Sequence, residues 1–336
     1  MNMSFTHNAQ MLEKILKKSE ANYQLKKEFE NFHEYLKNGE YPQNNSMQTK
    51  DMVENQSTLV NNQNGGYLVP KLLSQEIQNY MEQTSIIRKL ANVQTVSGNY
   101  QNYLTLFDSI GELGWVDETD NRPTTKTPTI NSTPITLFEM YCQPRVTKQL
   151  LNDSYVDIAS WLTNQMANAF SITENEAFFR GNGTSAPLGI LIANLEKVLT
   201  QATGVAVYND LVNLCFSLDP TKYYKSAVFI SSYIFGSILK TFTSPSGKPL
   251  VYNINGQDMM FGFPIYYDSR MDNGTASLQL PLAFGDFKSG YTIYDCSDMN
   301  FIRDDITQKQ WVKFYTTKRI GGSVTDGNTI KLLKIK

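Results

Sequence analysis

Apolar residues between Ile158 and Ile172 recur every three or four positions, at Ile158, Trp161, Leu162, Met166, Ala169, Phe170 and Ile172. That spacing places them along one side of an α-helix. Ser154-x-x-Asp157 has the form of a capping box, with Asp where Glu is usual, so the helix is expected to begin at Ser154. It is expected to stop near Arg180, because Gly181 and Gly183 follow. Roughly 26 residues at about 1.5 Å each make a rod of about 39 Å, long for a compact domain.

The rest of the pattern is mixed. From Asn8 to Asn38 the chain reads as one charged helix, with Leu25, Phe29, Phe32 and Leu36 on a stripe. Upstream, Ile15 and Met11 continue that stripe, but Lys18 and Asn22 interrupt it, and Gly39 and Pro42 end the helix. Gln43 to Asn64 is rich in Asn, Gln and Ser and has too few large apolar groups to offset ordering entropy, so it reads as a linker. A globular part is expected from Gly65, with a short helix near Ser74–Gln83 and β structure over Val93–Phe107. The Pro- and Thr-rich run Arg122–Pro128 favours an extended loop or hairpin, and Ile135–Val146 returns as a strand. Asn209–Phe216 and Ser231–Phe242 read as helices around a buried strand at Ser226–Ile230. Asp272-Asn273-Gly274 and Asp326-Gly327-Asn328 are turn signals, and Ile330–Ile335 is a final strand. No βα regularity is visible, so the fold class is α+β.

Composition narrows the chemistry. Charged residues make up 18% and the net charge is −2, which argues against a dedicated nucleic-acid or anionic-membrane binder. No apolar run approaches the ~20 residues that span a bilayer. Met1–Gln10 is polar, so no secretory signal is expected and synthesis is expected in the cytoplasm. Cys142, Cys215 and Cys296 lack any paired spacing and read as reduced thiols. The only histidines, His7 and His33, lie in the N-terminal charged segment, which leaves no Ser-His-Asp, Cys-His or His-metal arrangement for the globular part. Gly181-x-Gly183 lacks a third glycine and follows a helix, so it is not a phosphate loop. The acidic pairs Asp117-Glu118 and Asp304-Asp305 suit a cation or acid–base work in principle, and solvated or inter-subunit charge better. Arg145, Lys148, Lys222 and Lys225 read as surface charges or as a weak DNA-facing set. No cofactor and no metal are expected.

Several short motifs occur in one order: Gly66-Tyr67-Leu68-Val69-Pro70, Trp115-Val116-Asp117-Glu118, Asn182-Gly183-Thr184 with Pro187-Leu188-Gly189-Ile190-Leu191, Gly262-Phe263-Pro264-Ile265, Phe284-Gly285-Asp286-Phe287, Arg303-Asp304 and Arg319-Ile320-Gly321-Gly322. Together they resemble the tailed-phage major capsid proteins of the Hong Kong 97-like fold. The resemblance implies a scaffold-like (delta) helix and linker over 1–63, an N-terminal arm over 64–73 and a peripheral domain over 74–204. That domain would carry an E-loop at about 100–135 and a spine helix at about 154–180, with an axial domain over 205–299 and a peripheral return over 300–336. The implied function is self-assembly through hexamers and pentamers into an icosahedral head around double-stranded DNA, with a portal and a maturation protease as further partners and no membrane. Assembly-interface candidates are Trp115, Asp117, Glu118, Arg122 and Lys126, and the candidate maturation cleavage lies at Gln63-Asn64. Some family members join an E-loop Lys to an Asn beside an acid; here the corresponding positions fall at Lys126, near Gln310 and near Thr317, so no autocatalytic cross-link is expected. An encapsulin-type nanocompartment shell is the alternative, and a soluble α+β enzyme a weaker one.

Overall fold

Strand Trp311–Val324 opens with alternate burial, Val312, Phe314 and Thr316 inward and Trp311, Lys313 and Tyr315 half-buried on the other side. This is the period-two pattern of a sheet that packs on one face only. The computed structural model describes residues 67–68, 77, 80–96, 101–106, 130–153, 158–220 and 224–336. The expected helix at Asn8–Asn38, the linker, and the run Gly111–Pro128 lie outside the described residues.

In chain order the elements are β1 (Tyr67–Leu68), α1 (Ile86–Leu90), β2 (Asn92–Val96), β3 (Gln101–Leu106), β4 (Ile130–Ile135), β5 (Phe138–Cys142), β6 (Arg145–Thr147), α2 (Lys148–Asp153), α3 (Ile158–Arg180), β7 (Glu196–Leu199) and α4 (Tyr208–Phe216). Then follow β8 (Val228–Ser231), α5 (Tyr233–Leu239), β9 (Val251–Ile254), β10 (Gln257–Met260), β11 (Phe263–Tyr267), β12 (Leu282–Gly285), α6 (Phe287–Gly290), β13 (Tyr291–Asp304), β14 (Trp311–Val324) and β15 (Ile330–Lys334). Among the described residues, no helix is long and apolar enough to cross a membrane.

Two compact units divide the chain. The first takes 139–173 and 297–318 together with the described residues before 86. In it β6 pairs antiparallel with the start of β14, Arg145 opposite Lys313 and Val146 opposite Val312, while β1 pairs with β13. Its core holds Met81, Val146, Leu151, Leu162, Met166, Phe170, Phe301, Val312 and Phe314. Leu162, Met166 and Phe170 stand one turn apart on α3 and supply its buried stripe. Trp161 and Ile172, which the apolar spacing places on the same side, are 50% and 52% exposed. At about 100° per residue they sit roughly 140° and 120° from the stripe's centre line, toward the opposite side of the helix.

The second unit takes 86–138, 174–296 and 319–336. A seven-stranded mixed sheet runs in the order β7-β15-β12-β8-β11-β10-β9. Val228–Ser231 is parallel to Phe263–Tyr267 and antiparallel to Leu282–Gly285. The last strand, expected from the sequence at Ile330–Ile335, lies inside the sheet between β7 and β12 and is buried at Ile330, Leu332 and Leu333. Phe229, Phe235, Leu239, Ile265, Leu282 and Phe284 form the core beneath α4 and α5. Tyr233–Leu239 is capped by the Ser232 hydroxyl, which accepts the Phe235 N–H.

Three expectations shift in detail. The strand expected over Ile135–Val146 is cut into parts of three strands, and the last interruption includes Pro144, which has no N–H for a ladder. Its carbonyl instead accepts the Phe314 N–H. Lys148–Asp153 forms a separate short helix, whose Leu150 N–H is met by the Thr147 hydroxyl at 3.2 Å. The long helix is described from Ile158 to Arg180, and the expected cap Ser154 lies outside the described residues.

Candidate assembly interface

The segment after α3 is fixed by backbone packing. Gly181 donates to the Ala177 carbonyl, Gly189 to the Gly181 carbonyl, Ile190 to Phe178 and Leu191 to Phe179. The Asn182 side-chain oxygen accepts the N–H groups of Thr184, Ser185 and Ala186, so this side chain organises the turn. A Cβ at Gly181 would lie 1.9 Å from the Pro187 oxygen, and one at Gly189 would lie 2.5 Å from Phe179 backbone. Tyr291 donates its hydroxyl to the Leu188 carbonyl at 2.8 Å and meets the Phe178 ring edge-on. The Asn-Gly-Thr and Pro-Leu-Gly-Ile-Leu motifs are therefore a folding device: small residues let a loop lie directly on the helix end.

Close by in the same unit, one guanidinium serves two buried carboxylates. Arg88 donates Nε to one Glu174 oxygen and Nη2 to the other, and Nη2 also lies 2.7 Å from Asp295. Burial alone would lower the Arg88 pKa, but Glu174 and then Asp295 carry it above the ordinary value. Three separate chain segments are thus joined through charge in the interior.

The exposed chemistry of the first unit lies on the outer face of its sheet. Tyr141, 71% exposed, lies with its ring 6.1 Å from that of Tyr315. The Arg145 guanidinium sits over the Trp311 ring, 4.9 Å from its centre. Lys313 stands directly across the ladder from Arg145, so two positive charges face each other. Lys148 donates to the Asp305 carbonyl at 3.3 Å. The nearby acids have partners of their own. Asp304 accepts from Ile306 and Thr307 N–H groups, and Asp305 pairs with Arg303 at 2.5 Å. Bonding to Thr307 first, and then Ile306 and the Lys313 charge, holds Asp304 below the usual carboxylate range against the effect of burial.

Sequence-predicted residues divide sharply. Trp115, Asp117, Glu118, Arg122, Lys126, Gln63, Asn64 and Lys222 lie outside the described residues. The acidic pair Asp304-Asp305 is a turn and ion-pair device. Gln310 is exposed and its carbonyl accepts the Lys148 N–H, while Thr317 is buried. Cys142 is partly exposed, and Cys215 and Cys296 are buried free thiols. Among the described residues, no group of three or more His, Cys, Asp or Glu is placed to hold a metal ion. Tyr141, Trp311, Lys313 and Tyr315 were not singled out by the motifs. The alternation Trp311-Val312-Lys313-Phe314-Tyr315 carries the signal for them, since it separates one amphipathic strand face from the core.

The Phage capsid family matches residues 65–335. The chain belongs to the phage capsid family. It is a major capsid protein, a structural subunit of a bacteriophage-type icosahedral shell. Solved capsids agree. The capsid of an empty GTA particle is 31% identical over 75% of this chain and 90% of its own, with a TM-score of 0.68. The capsid of a native GTA particle is also 31% identical, over 74% of this chain and 89% of its own, with a TM-score of 0.65. The SrpI encapsulin of Synechococcus elongatus PCC 7942 shares the fold at 12% identity, covering 86% of this chain and 95% of its own, with a TM-score of 0.54. No curated protein matches the sequence. The α+β reading and the resemblance both stand. For a capsid protein, an outer sheet face of aromatic and basic residues is surface available for contact with other subunits.

Proposed function

We propose that this capsid protein encloses double-stranded DNA, which it contacts weakly and without sequence preference. Subunits join as hexamers and pentamers and close an icosahedral head in the host cytoplasm, with a portal and a maturation protease as partners. Residues 1–63 act as the internal scaffold (delta) segment, and cleavage at Gln63-Asn64 releases the mature chain. The observation that carries this division is the family match, which begins at residue 65, where the Asn- and Gln-rich linker ends. The mature chain then has an arm over 64–73, a peripheral domain over 74–204 and 300–336, and an axial domain over 205–299. Helix Ile158–Arg180 is the spine, and about 100–135 the E-loop, with Trp115, Asp117, Glu118, Arg122 and Lys126 at its contacts. The role is geometric, because closed symmetry multiplies individually modest contacts. No covalent cross-link joins the subunits, since Thr317 supplies no carboxylate.

The greater likeness to the GTA capsids, 31% identical, than to the encapsulin, 12% identical, supports a capsid head over an encapsulin compartment. The test is expression of the full chain alone, followed by size-exclusion chromatography and negative-stain electron microscopy. Rings of five and six subunits or closed shells are expected. A monomer that stays monomeric at high concentration and turns over a substrate would overturn the reading. Mass spectrometry of mature particles tests cleavage: subunits that still begin at Met1 refute it.

A further inference from the structure

We propose that Asn273 is a spontaneous deamidation site of this protein, the one Asn-Gly pair among the described residues that the fold leaves free to react. The inference goes beyond the shell reading and does not depend on it, because the isolated subunit carries the whole site.

Asn-Gly occurs at Asn38, Asn64, Asn182, Asn255 and Asn273, and the last three fall among the described residues. The chemistry is the same at each. The amide nitrogen of the glycine attacks Cγ of the asparagine, and a glycine, with no Cβ, puts nothing in the way. The N–Cγ bond forms and the Cγ–Nδ2 bond breaks. The attacking nitrogen gives up its proton, and the side-chain nitrogen takes one up and leaves as ammonia. Water then opens the cyclic imide. Cleavage at Cγ gives aspartate; cleavage at the backbone carbonyl carbon gives isoaspartate, in which the chain runs on through Cγ. Water is the only co-reactant, and nothing is oxidised or reduced.

The fold decides which pair can react. At Asn182 the side-chain oxygen accepts the N–H groups of Thr184, Ser185 and Ala186, and Nδ2 lies 3.0 Å from the Ser185 hydroxyl, so turning Cγ toward Gly183 would break the turn. At Asn255 φ is +50°, in the left-handed region, where the following nitrogen lies anti to Cβ and out of reach of Cγ. The Gly256 N–H is also held by the Asn253 side-chain oxygen at 3.0 Å, and the β9–β10 ladder fixes this turn on both sides. Asn273 has neither restraint. It lies outside the left-handed region and its side chain is exposed. Among the described residues, neither its amide nor the Gly274 N–H has a hydrogen-bond partner. Gly274 is itself held in place, since a Cβ there would lie 2.5 Å from the Phe235 ring and 2.9 Å from Pro281.

The product bears on the loop around it. Asp272 accepts the Leu280 N–H at 2.7 Å and pairs with Arg180, at the end of α3, at 2.5 Å. The Gln279 side-chain oxygen accepts the N–H groups of Thr275 and Ala276. Isoaspartate at 273 inserts a carbon into the backbone between these anchors, and either product places a second carboxylate beside Asp272.

The test ages the folded full chain at mildly basic pH in water enriched in heavy oxygen, then maps its peptides by mass spectrometry with electron-transfer fragmentation. Heavy oxygen enters only where the imide is hydrolysed during ageing, which separates ageing from damage during digestion. The Asn273 peptide should convert about tenfold faster than those of Asn182 and Asn255, a barrier difference of about 1.4 kcal/mol. In denaturant the three should convert at similar rates, because the folded restraints are gone. Equal rates in the folded chain, or faster conversion at Asn182 or Asn255, overturn the proposal. So does an Asn273 that stays intact in the folded chain while it converts in denaturant. Aged wild type should also melt below an aged Asn273→Gln variant; equal melts overturn the effect on the anchored loop. The rates are read on soluble subunits, so an absence of rings or shells bears on the shell reading alone.

Discussion

Arg88 and Glu174 form a two-pronged ion pair in the interior, with side chains 0% and 1% exposed. Eighty-six positions separate them in sequence, and Asp295 completes the cluster from a third segment. Such a pair adds little to net stability when compared with a well-packed apolar substitute, but breaking it leaves a buried charge without its counterpart. Arg88→Ala should therefore cost about 3–5 kcal/mol of unfolding free energy. Replacing all three members by apolar residues of similar volume should recover most of that loss. Urea denaturation of the single and triple variants decides; a triple variant as damaged as the single would show that the charges themselves are required.

The turn after the long helix gives a second prediction. Gly181→Ala puts a methyl carbon 1.9 Å from the Pro187 oxygen and 2.5 Å from the Ala177 oxygen, both backbone atoms that cannot swing aside. A cost of about 1–3 kcal/mol is expected from overpacking. Gly247→Ala is the control, because nothing lies within 4 Å of its added carbon and only its φ of +78° opposes it. Its cost should be about 1 kcal/mol, the penalty for a left-handed alanine. Thermal melts of the two variants should separate in that order. Equal melts would mean the helix-end loop gives way easily.

Much of this was legible in the chain because local signals and tertiary packing agree. The helix ending at Arg180, the Tyr208–Phe216 helix and the final strand each carry their own periodicity and stop residues. The resemblance rested on motifs whose glycines meet close backbone, as at Gly181 and Gly189, so a sequence pattern reported a packing fact. What stayed hidden depends on non-local pairing. Nothing in the sequence near Arg88 names Glu174 or Asp295 as its partners. Likewise Arg145 looked like one surface charge among several until the ladder set it against Lys313 and above Trp311. The exposure of Trp161 was missed because apolar spacing of three and four admits two stripes, and only the facing core chooses between them.

Strong acid should loosen the β9–β10–β11 region through Asp258. Hydrogen bonds from Lys240 and then Asn253, opposed by burial and reinforced by the Tyr267 hydroxyl, hold its carboxyl at about 2. The folded value is below the unfolded one of 3.8, so this contribution is fully present above about pH 4 and is lost as pH falls toward 2. Asp258→Asn should melt below wild type at neutral pH, and the gap should close across that window. A gap that stays constant down to pH 2 would show that the carboxylate's charge is not what stabilises the hairpin.

The three thiols should react in an order set by burial. Cys142 is partly exposed on β5, whereas Cys296 is 2% exposed and Cys215 is 7% exposed. Burial pushes the Cys215 thiol up to about 12, so almost none of it is thiolate near neutral pH. Burial also raises Cys142, but less completely, since its side chain reaches solvent. The thiolate is the reactive form, and access limits the reagent as well. Maleimide at about pH 7.5 should therefore label Cys142 alone in the native subunit, and all three in denaturant. Peptide mapping by mass spectrometry reads the order directly. Native labelling of Cys215 at the rate of Cys142 would mean that the Tyr208–Phe216 helix opens on the time scale of the reaction, and that the core beneath it is not the closed layer described above.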